Sequence, residues 1–465
     1  MNKETRIQKI AQIIERDGAK PYGRQDIPWE DKLEPMPVYK IPLEYLVYNK
    51  YNGRILSRTK SLESQGHEIN SELEEGRKLI ERLLMESNPG RNKQTLESID
   101  KLGQEKVGII TRDGIIIDGN RRAMLLKKSG KFDYFKTVVL KVTLEENPLE
   151  IEKLETTYQM GEDEKLGYNP IEKYLKARGL NQRGVSIDKV ASWMGEAEST
   201  VKEYLAVMET MDDYLDYLGY NGIYTQLDGR EDQFINLTKW LGYFYGEESG
   251  KAFDGYRNGD VDDLKIISYD YIRIKYEGKD FRNIAYGLKE NHFFGDKQIW
   301  VSFRDFHFKH VVPVKDSEEK IKLDADNLEA YLNDRDKRFF DKTKNEQGKS
   351  FLDENIEIHS QQLRNKKSAN EPLKLVSGAI DALDAINQRH PAFSASDVMK
   401  KLEAINEKTS EMLKKNAPDK LLSQVIGILE SIDINSDKDL KEELLLKVKD
   451  IEKIAYQMEK DIKGL

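Results

Sequence analysis

Asp118-Gly119-Asn120-Arg121-Arg122 sets a carboxylate, a glycine and two guanidinium groups directly behind the apolar run Ile115 to Ile117. If that run is a strand and Asn120 opens a helix, the glycine lets a ligand approach the backbone. The first N–H groups of the helix, which have no partner within it, then face the same space. Two arginines on the first turn add planar forks that chelate phosphate oxygens. Between residues 118 and 141, seven basic side chains stand against Asp118 and Asp133, in a chain whose net charge is -9. The local excess points to an anionic ligand held by Gly119, Asn120, Arg121 and Arg122. A plainer reading has both arginines solvating a helix start and pairing with nearby carboxylates. Asp118 also has two readings: a metal ligand or general base in a metal-assisted reaction, or a carboxylate that orients Arg121 or Arg122.

The elements that must position this pentapeptide alternate short strands and helices, an α+β core. Residues 5–16 carry Ile7, Ile10, Ile13 and Ile14 at helical spacing, and the Pro-rich stretch Pro21 to Pro37 breaks regular structure and reads as an arm. Val38 to Pro42 predicts a strand, 68–87 an amphipathic helix and Gln94 to Leu102 another. Val107 to Thr111 and Gly114 to Ile117 predict paired strands around Arg112-Asp113. Asn120 to Ser129 predicts a helix closed by Gly130, and Val138 to Val142 a further strand. Beyond Pro170 the pattern is mostly helical to about residue 247. Residues 250–315 are rich in Tyr and Phe and suggest a packed core, with Trp300 to Phe308 read as extended. His307 and His310 there would point to opposite faces, which argues against a metal site. Residues 340–370 read as a polar hinge. The helices after them end in Leu444, Val448, Ile451, Ala455, Met458 and Ile462, a helical bundle or a short dimerising coil.

Composition removes whole classes of function. The chain of 465 residues has 75 Lys+Arg against 84 Asp+Glu, so any nucleic-acid contact must come from a local patch rather than bulk charge. With no cysteine, disulfides, zinc ribbons and thiol nucleophiles are excluded. No apolar run approaches the ~20 residues of a membrane span, and the first residues lack a signal-peptide core, so the expectation is a cytoplasmic protein with no membrane partner. A second motif follows the core. Ile187 to Leu205 places Ala191 at a helix crossing, Gly195 at a turn, and Val190, Met194, Val201 and Leu205 inward, the helix-turn-helix spacing. Ser199, Thr200 and Lys202 at the start of its second helix are the candidate DNA contacts. Yet Glu196, Glu198 and Glu203 sit where DNA readers carry cations, and residues 170–210 hold six basic and six acidic residues. A module that packs against the core or a protein partner is therefore the competing reading.

Ile117 to Gly130 resembles the Gly-x-Arg-Arg box of the ParB/sulfiredoxin-fold superfamily. Ile41 to Leu46 followed by Asn52-Gly53-Arg54 is similar to the opening strand and first Arg box of ParB proteins, without their usual Gln. Gln94 to Gln104 resembles the helix before the second strand, and Tyr168-Asn169-Pro170-Ile171-Glu172 the Leu-Asn-Pro-x-Glu segment that leads to the helix-turn-helix. The likeness covers about residues 38–208, in which four motifs occur in order. It implies a nucleoside triphosphate, CTP or ATP, with Mg2+, bound through Gly119, Asn120, Arg121 and Arg122 with Arg54 and Gln159 in support. Where ParB proteins carry Glu-Asn-x-Gln-Arg, this chain has Thr156-Thr157-Tyr158-Gln159-Met160, which keeps only the Gln and leaves the nucleotide open. The cysteine that sulfiredoxins carry at the position of Asn120 is absent, which excludes their chemistry.

The division expected is 1–37 helix and arm, 38–150 nucleotide-binding domain, 151–210 linker helix and helix-turn-helix, 211–340 aromatic-rich domain, and 341–465 helical region. The resemblance implies a homo-oligomeric, DNA-associated protein of chromosome or plasmid partition, a mobile element or genome defence, with the last helices open to a protein partner. Relatives described as nucleases or phosphotransferases make Asp118 a candidate catalytic residue. A scaffold with a degenerate site is the third reading.

Overall fold

Two prolines two residues apart, Pro35 and Pro37, would normally end a strand, yet here they sit inside one. The structure, a computed structural model, describes residues 1–158, 169–322, 327–369, 371–416, 418–431 and 441–464. After helix α1 (Lys3–Asp17) the chain enters a hairpin of β1 (Gly23–Trp29) and β2 (Lys32–Pro42), where an irregular arm was expected. The three prolines fall on alternate pairs, Arg24↔Pro37, Asp26↔Pro35 and Pro28↔Leu33. The pairs between them are free of proline and can exchange both backbone hydrogen bonds. The two-residue turn is Glu30 and Asp31, both left-handed at φ 50° and 61°. That is the conformation for which Asn-Gly is the usual signal, and its absence hides the hairpin in the sequence.

The chain continues through α2 (Leu56–Ser64), α3 (Glu74–Ser87), α4 (Pro89–Leu102), β3 (Gly108–Ile110), β4 (Ile116–Asp118), α5 (Asn120–Ser129), β5 (Tyr134–Val139) and α6 (Pro148–Thr156). The strands form one mixed sheet in the order β1-β2-β5-β3-β4, with β3 parallel to β5 and the other pairs antiparallel. Both faces are covered, and alternate residues divide between them. Tyr39, Ile41, Ile110, Ile116 and Phe135 pack with Ile10 of α1, Leu84 of α3, Ile99 of α4 and Leu125 of α5. Val38, Ile109, Ile117 and Val138 pack with Ile151 and Leu154 of α6. The fold is α+β, a five-stranded mixed sheet with helices and a largely helical remainder.

That remainder begins with α7 (Pro170–Gln182), α8 (Ile187–Met194) and α9 (Glu198–Leu218), joined by a left-handed Gly195 at φ 62°. It continues through α10 (Glu231–Phe244), α11 (Asn258–Arg273), α12 (Gly278–Phe281), α13 (Lys297–His310), α14 (Val312–Asp316), α15 (Leu328–Lys342) and α16 (Phe351–Lys367). One apolar cluster runs from Leu56 of α2 to Leu363 of α16 and contains Trp240 stacked on Phe281 at 4.9 Å. Trp300 to Phe308 is helical, not extended, so His307 and His310 share a helix. His307 is buried against Asp270 at 3.0 Å, and His310 stacks on Phe351 at 4.5 Å. The stretch 340–370, expected as a hinge, carries α16 with Leu352, Ile356 and Leu363 buried. Asn355 and His359 are buried with them, bonded to the Phe303 carbonyl at 3.0 Å and the Ser302 hydroxyl at 3.0 Å, while its charged residues stay outside.

The chain divides into two units, residues 1–370 and 371–465. The second consists of α17 (Pro372–Asp384), α18 (Ser396–Asn416), α19 (Pro418–Ser431) and α20 (Lys441–Lys463), and exposes Leu373, Val425, Val448 and Ile454 among other apolar side chains. Among the described residues no helix is long and apolar enough to cross a membrane.

Candidate functional site

α5 starts on Gly119, which is left-handed at φ 102° and offers no side-chain cap. A Cβ there would lie 2.7 Å from Phe135 Cζ. Only glycine fits, because the buried Phe135 ring stands where a side chain would go. The first intrahelical bond is donated by the Ala123 N–H to the Gly119 carbonyl, so the amides of Asn120, Arg121 and Arg122 precede the helical ladder at its positive end. The Asn120 side chain is buried and committed: its Oδ1 accepts from the Asn49 N–H at 2.9 Å and its Nδ2 donates to the Ile116 carbonyl at 3.0 Å. What Asn120 can offer a ligand is therefore its backbone.

The two arginines divide their work. Arg122 donates to Asp118 Oδ2 at 2.8 Å, to the Lys106 carbonyl at 2.9 Å and to the Val107 carbonyl at 3.0 Å. It ties the start of α5 to the approach to β3. Asp118, its partner, is mostly enclosed at 16% exposure. Arg121 lines a cleft of about 400 Å³ together with Arg54, Arg91, Lys106, Gln94 and Ser98, and with Asp118, Gly119, Asn120 and Arg122. That volume lies within the range of small-molecule sites. Five basic side chains against Asp118 and Glu105 give the lining a net positive charge.

Three elements build the walls. Arg54 sits in the loop before α2, shaped by two Asx turns in which Asn49 Oδ1 accepts from the Tyr51 N–H at 3.0 Å and Asn52 Oδ1 from the Arg54 N–H at 3.2 Å. α2 has no cap of its own, and Glu172 from α7 supplies one, accepting from the Ser57 N–H at 2.8 Å and the Ser57 hydroxyl at 2.6 Å. Burial pushes the Glu172 carboxyl up to about 7, against the lowering effect of Ser57. The second wall is α4, whose Arg91, Gln94, Thr95 and Ser98 follow one helical face into the cleft. Sequence reasoning began this helix at Gln94, which left Arg91 outside it, and gave no binding role to Gln94, Thr95 or Ser98. The third wall is the loop after Gly103, where Gln104 donates to the carbonyls of Lys106 at 2.9 Å and Lys136 at 2.7 Å.

A buried polar chain leaves the cleft. Asn49, which meets Asn120, also donates to Glu155 of α6 at 3.1 Å, and Glu155 pairs with Lys176 of α7 at 3.1 Å. The cleft is thus tied to α6 and α7 by Asn120-Asn49-Glu155-Lys176 and by Glu172-Ser57.

Of the residues singled out in the sequence, Asp118, Gly119, Asn120, Arg121, Arg122 and Arg54 come together in this cleft. Gln159 lies outside the described residues. Ser199, Thr200 and Lys202 occupy the first turns of α9 and do not line the cleft. Of the acidic residues around them, Glu196 faces Lys173 at 3.6 Å and Glu203 faces Lys239 at 3.0 Å. Among the described residues no three His, Asp or Glu side chains gather as a metal site.

The fold and the cleft define an α+β protein with a positively lined site at a strand-glycine-helix junction. No family model matches the chain, and no curated protein matches it. Among solved structures, one neighbour is the C-terminally truncated chromosome-partitioning protein ParB from Caulobacter crescentus, complexed with CTP-gamma-S. It is 12% identical at a TM-score of 0.17, over 43% of this chain and 92% of that chain. A likeness that weak bears no weight on function.

Proposed function

We propose that this chain is a ParB-like nucleotide-binding protein that associates with DNA, acting in chromosome or plasmid partition, a mobile element or genome defence in the cytoplasm. The observation that carries the reading is the uncapped start of α5 at Gly119, in a cleft lined by Arg54, Arg91, Lys106 and Arg121. A triphosphate, of CTP or ATP, fits the donor set: backbone amides at Asn120 and Arg121 meet its oxygens, and the guanidinium groups chelate them. When bound, the nucleotide supplies phosphate oxygens that can carry Mg2+. Arg122 acts as a brace for the loop. Asp118 is spent on that brace, which supports an orienting role over catalysis.

DNA association rests on Ser199, Thr200 and Lys202 at the start of α9, with Glu196 and Glu203 partly neutralised by Lys173 and Lys239. A near-neutral surface releases few counterions, so DNA is held through two copies of the chain rather than one. The polar links from the cleft to α6 and α7 supply a route by which the nucleotide favours one arrangement of α7 to α9.

Titrating the purified chain with labelled CTP, ATP and GTP, with and without duplex DNA, tests the reading. Binding of one nucleotide in the micromolar range, tightened by DNA, is expected. Failure to bind any nucleotide at millimolar concentration overturns it.

A further inference from the structure

Lys40 of β2 and Lys136 of β5 are directly paired across the sheet. Like charges at opposed positions are destabilising, and the usual remedy is a carboxylate in one of the two places. Here both places are lysine, and aromatic rings surround them instead. Lys40 Nζ lies 4.7 Å from the ring centres of both Tyr22 and Tyr134, and Lys136 Nζ lies 5.0 Å from that of Tyr22. Ring faces offset part of the repulsion but carry no net charge. Tyr22 is 54% exposed, a large ring kept in water. Along β2, Tyr39 and Ile41 point into one core and Val38 into the other, so Lys40 projects on the Val38 side.

The patch adjoins the cleft through one residue. Lys136 Nζ donates to the Gln104 carbonyl at 2.8 Å, and Gln104 lines the cleft. Among the described residues neither lysine has a carboxylate partner, and two cations interleaved with two tyrosine faces match what an unpaired polynucleotide offers: a phosphate at each repeat and a base with two exposed faces. A duplex presents no free base face along its length.

We infer that the surface of Tyr22, Lys40, Tyr134 and Lys136 binds single-stranded nucleic acid, with one base stacked on Tyr22 and its flanking phosphates on the two lysines. This site is separate from the triphosphate reading of the cleft and does not rest on it.

The experiment is fluorescence anisotropy of the full chain with labelled oligothymidine and oligouridine of twelve residues, over a series of salt concentrations. Tyr22→Ala should weaken binding at least about fivefold, and Tyr22→Phe should retain it, because the ring rather than the hydroxyl stacks. Replacing both lysines by alanine should flatten the dependence of log K on log salt by about 1.4. Arg121→Ala should leave oligonucleotide affinity unchanged, which separates this surface from the cleft. Three results would overturn the assignment: affinity insensitive to Tyr22→Ala, binding of duplex as tight as of single strands, or competition by polyphosphate equal to that by oligothymidine. Tyr22 is an exposed side chain, so its variants should keep the wild-type melting profile, and a variant that melts early is replaced by Tyr22→Ser.

Discussion

Arg121 and Arg122 are adjacent and chemically identical, yet truncating each should fail in a different way. Arg122→Ala removes one charge-assisted bond to Asp118 and two bonds to the Lys106 and Val107 carbonyls. It also leaves a mostly enclosed carboxylate without its partner. A bond to a charged group contributes about 1.5–3 kcal/mol, and a stranded carboxylate adds to the loss. The expected cost is about 2–4 kcal/mol of local stability, concentrated where Lys106 and Val107 lead into β3. Arg121 lines the cleft, and Arg121→Ala acts on the ligand. It should remove about 1.5–3 kcal/mol of ligand affinity, roughly ten- to a hundredfold. The assay pairs nucleotide titration by calorimetry with hydrogen exchange at the amides of Ile109 and Ile110, a local measure that does not require the two units to unfold together. Arg122→Lys should fall between, since a single ammonium cannot reach all three acceptors as a planar fork does. Unchanged nucleotide affinity in Arg121→Ala, or wild-type exchange in Arg122→Ala, would refute this division of roles.

Gly119→Ala should cost about 2 kcal/mol by urea unfolding, because it combines a left-handed backbone with a Cβ 2.7 Å from Phe135. Trimming Phe135 to Leu should recover only part of the loss. Glu172 should make stability fall with rising pH: the unfolded carboxyl ionises near 4.5 and the buried one at about 7, so the folded chain holds the extra proton between them. Its contribution is full below 4.5 and lost as pH rises through 7, by about 3 kcal/mol. The stability of Glu172→Gln measured from pH 4.5 to 8 should lack that slope, and parallel curves for the two proteins would refute the shift. Glu198→Lys should tighten duplex DNA binding and steepen its salt dependence by about 0.9, measured by filter binding at two salt concentrations. No change would place that face away from DNA.

The strand-glycine-helix junction was legible because its causes lie within a few residues: an apolar run, a residue that tolerates positive φ, and a helical stretch closed by Gly130 at φ 66°. The same locality let Gln94 to Leu102 be recognised as a helix, whereas its first turn, which carries Arg91, lies before the stretch read as helical. The hairpin of β1 and β2 was not legible. Its prolines are tolerated only because of which residue each opposes across the ladder, and its turn adopts left-handed angles at Glu30 and Asp31 without glycine. Trp300 to Phe308 reads as extended because helix and strand cannot be told apart in a short aromatic run without clear period, and 340–370 reads as a hinge because polar residues outnumber apolar ones through α16.

The α+β alternation, the local excess of basic residues over 118–141 and the exclusion of cysteine chemistry are properties of composition or of neighbours along the chain, and all three can be read without the fold. The tertiary structure alone decided that Arg122 is a brace while Arg121 faces the cleft, that the Asn120 side chain is spent on Asn49 and Ile116, and that Glu172, more than a hundred residues from Ser57, caps α2. The physical reason is that a side chain's role is set by the partners that reach it. Those partners arrive from distant segments whose approach is fixed only when the two faces of the sheet find their helices.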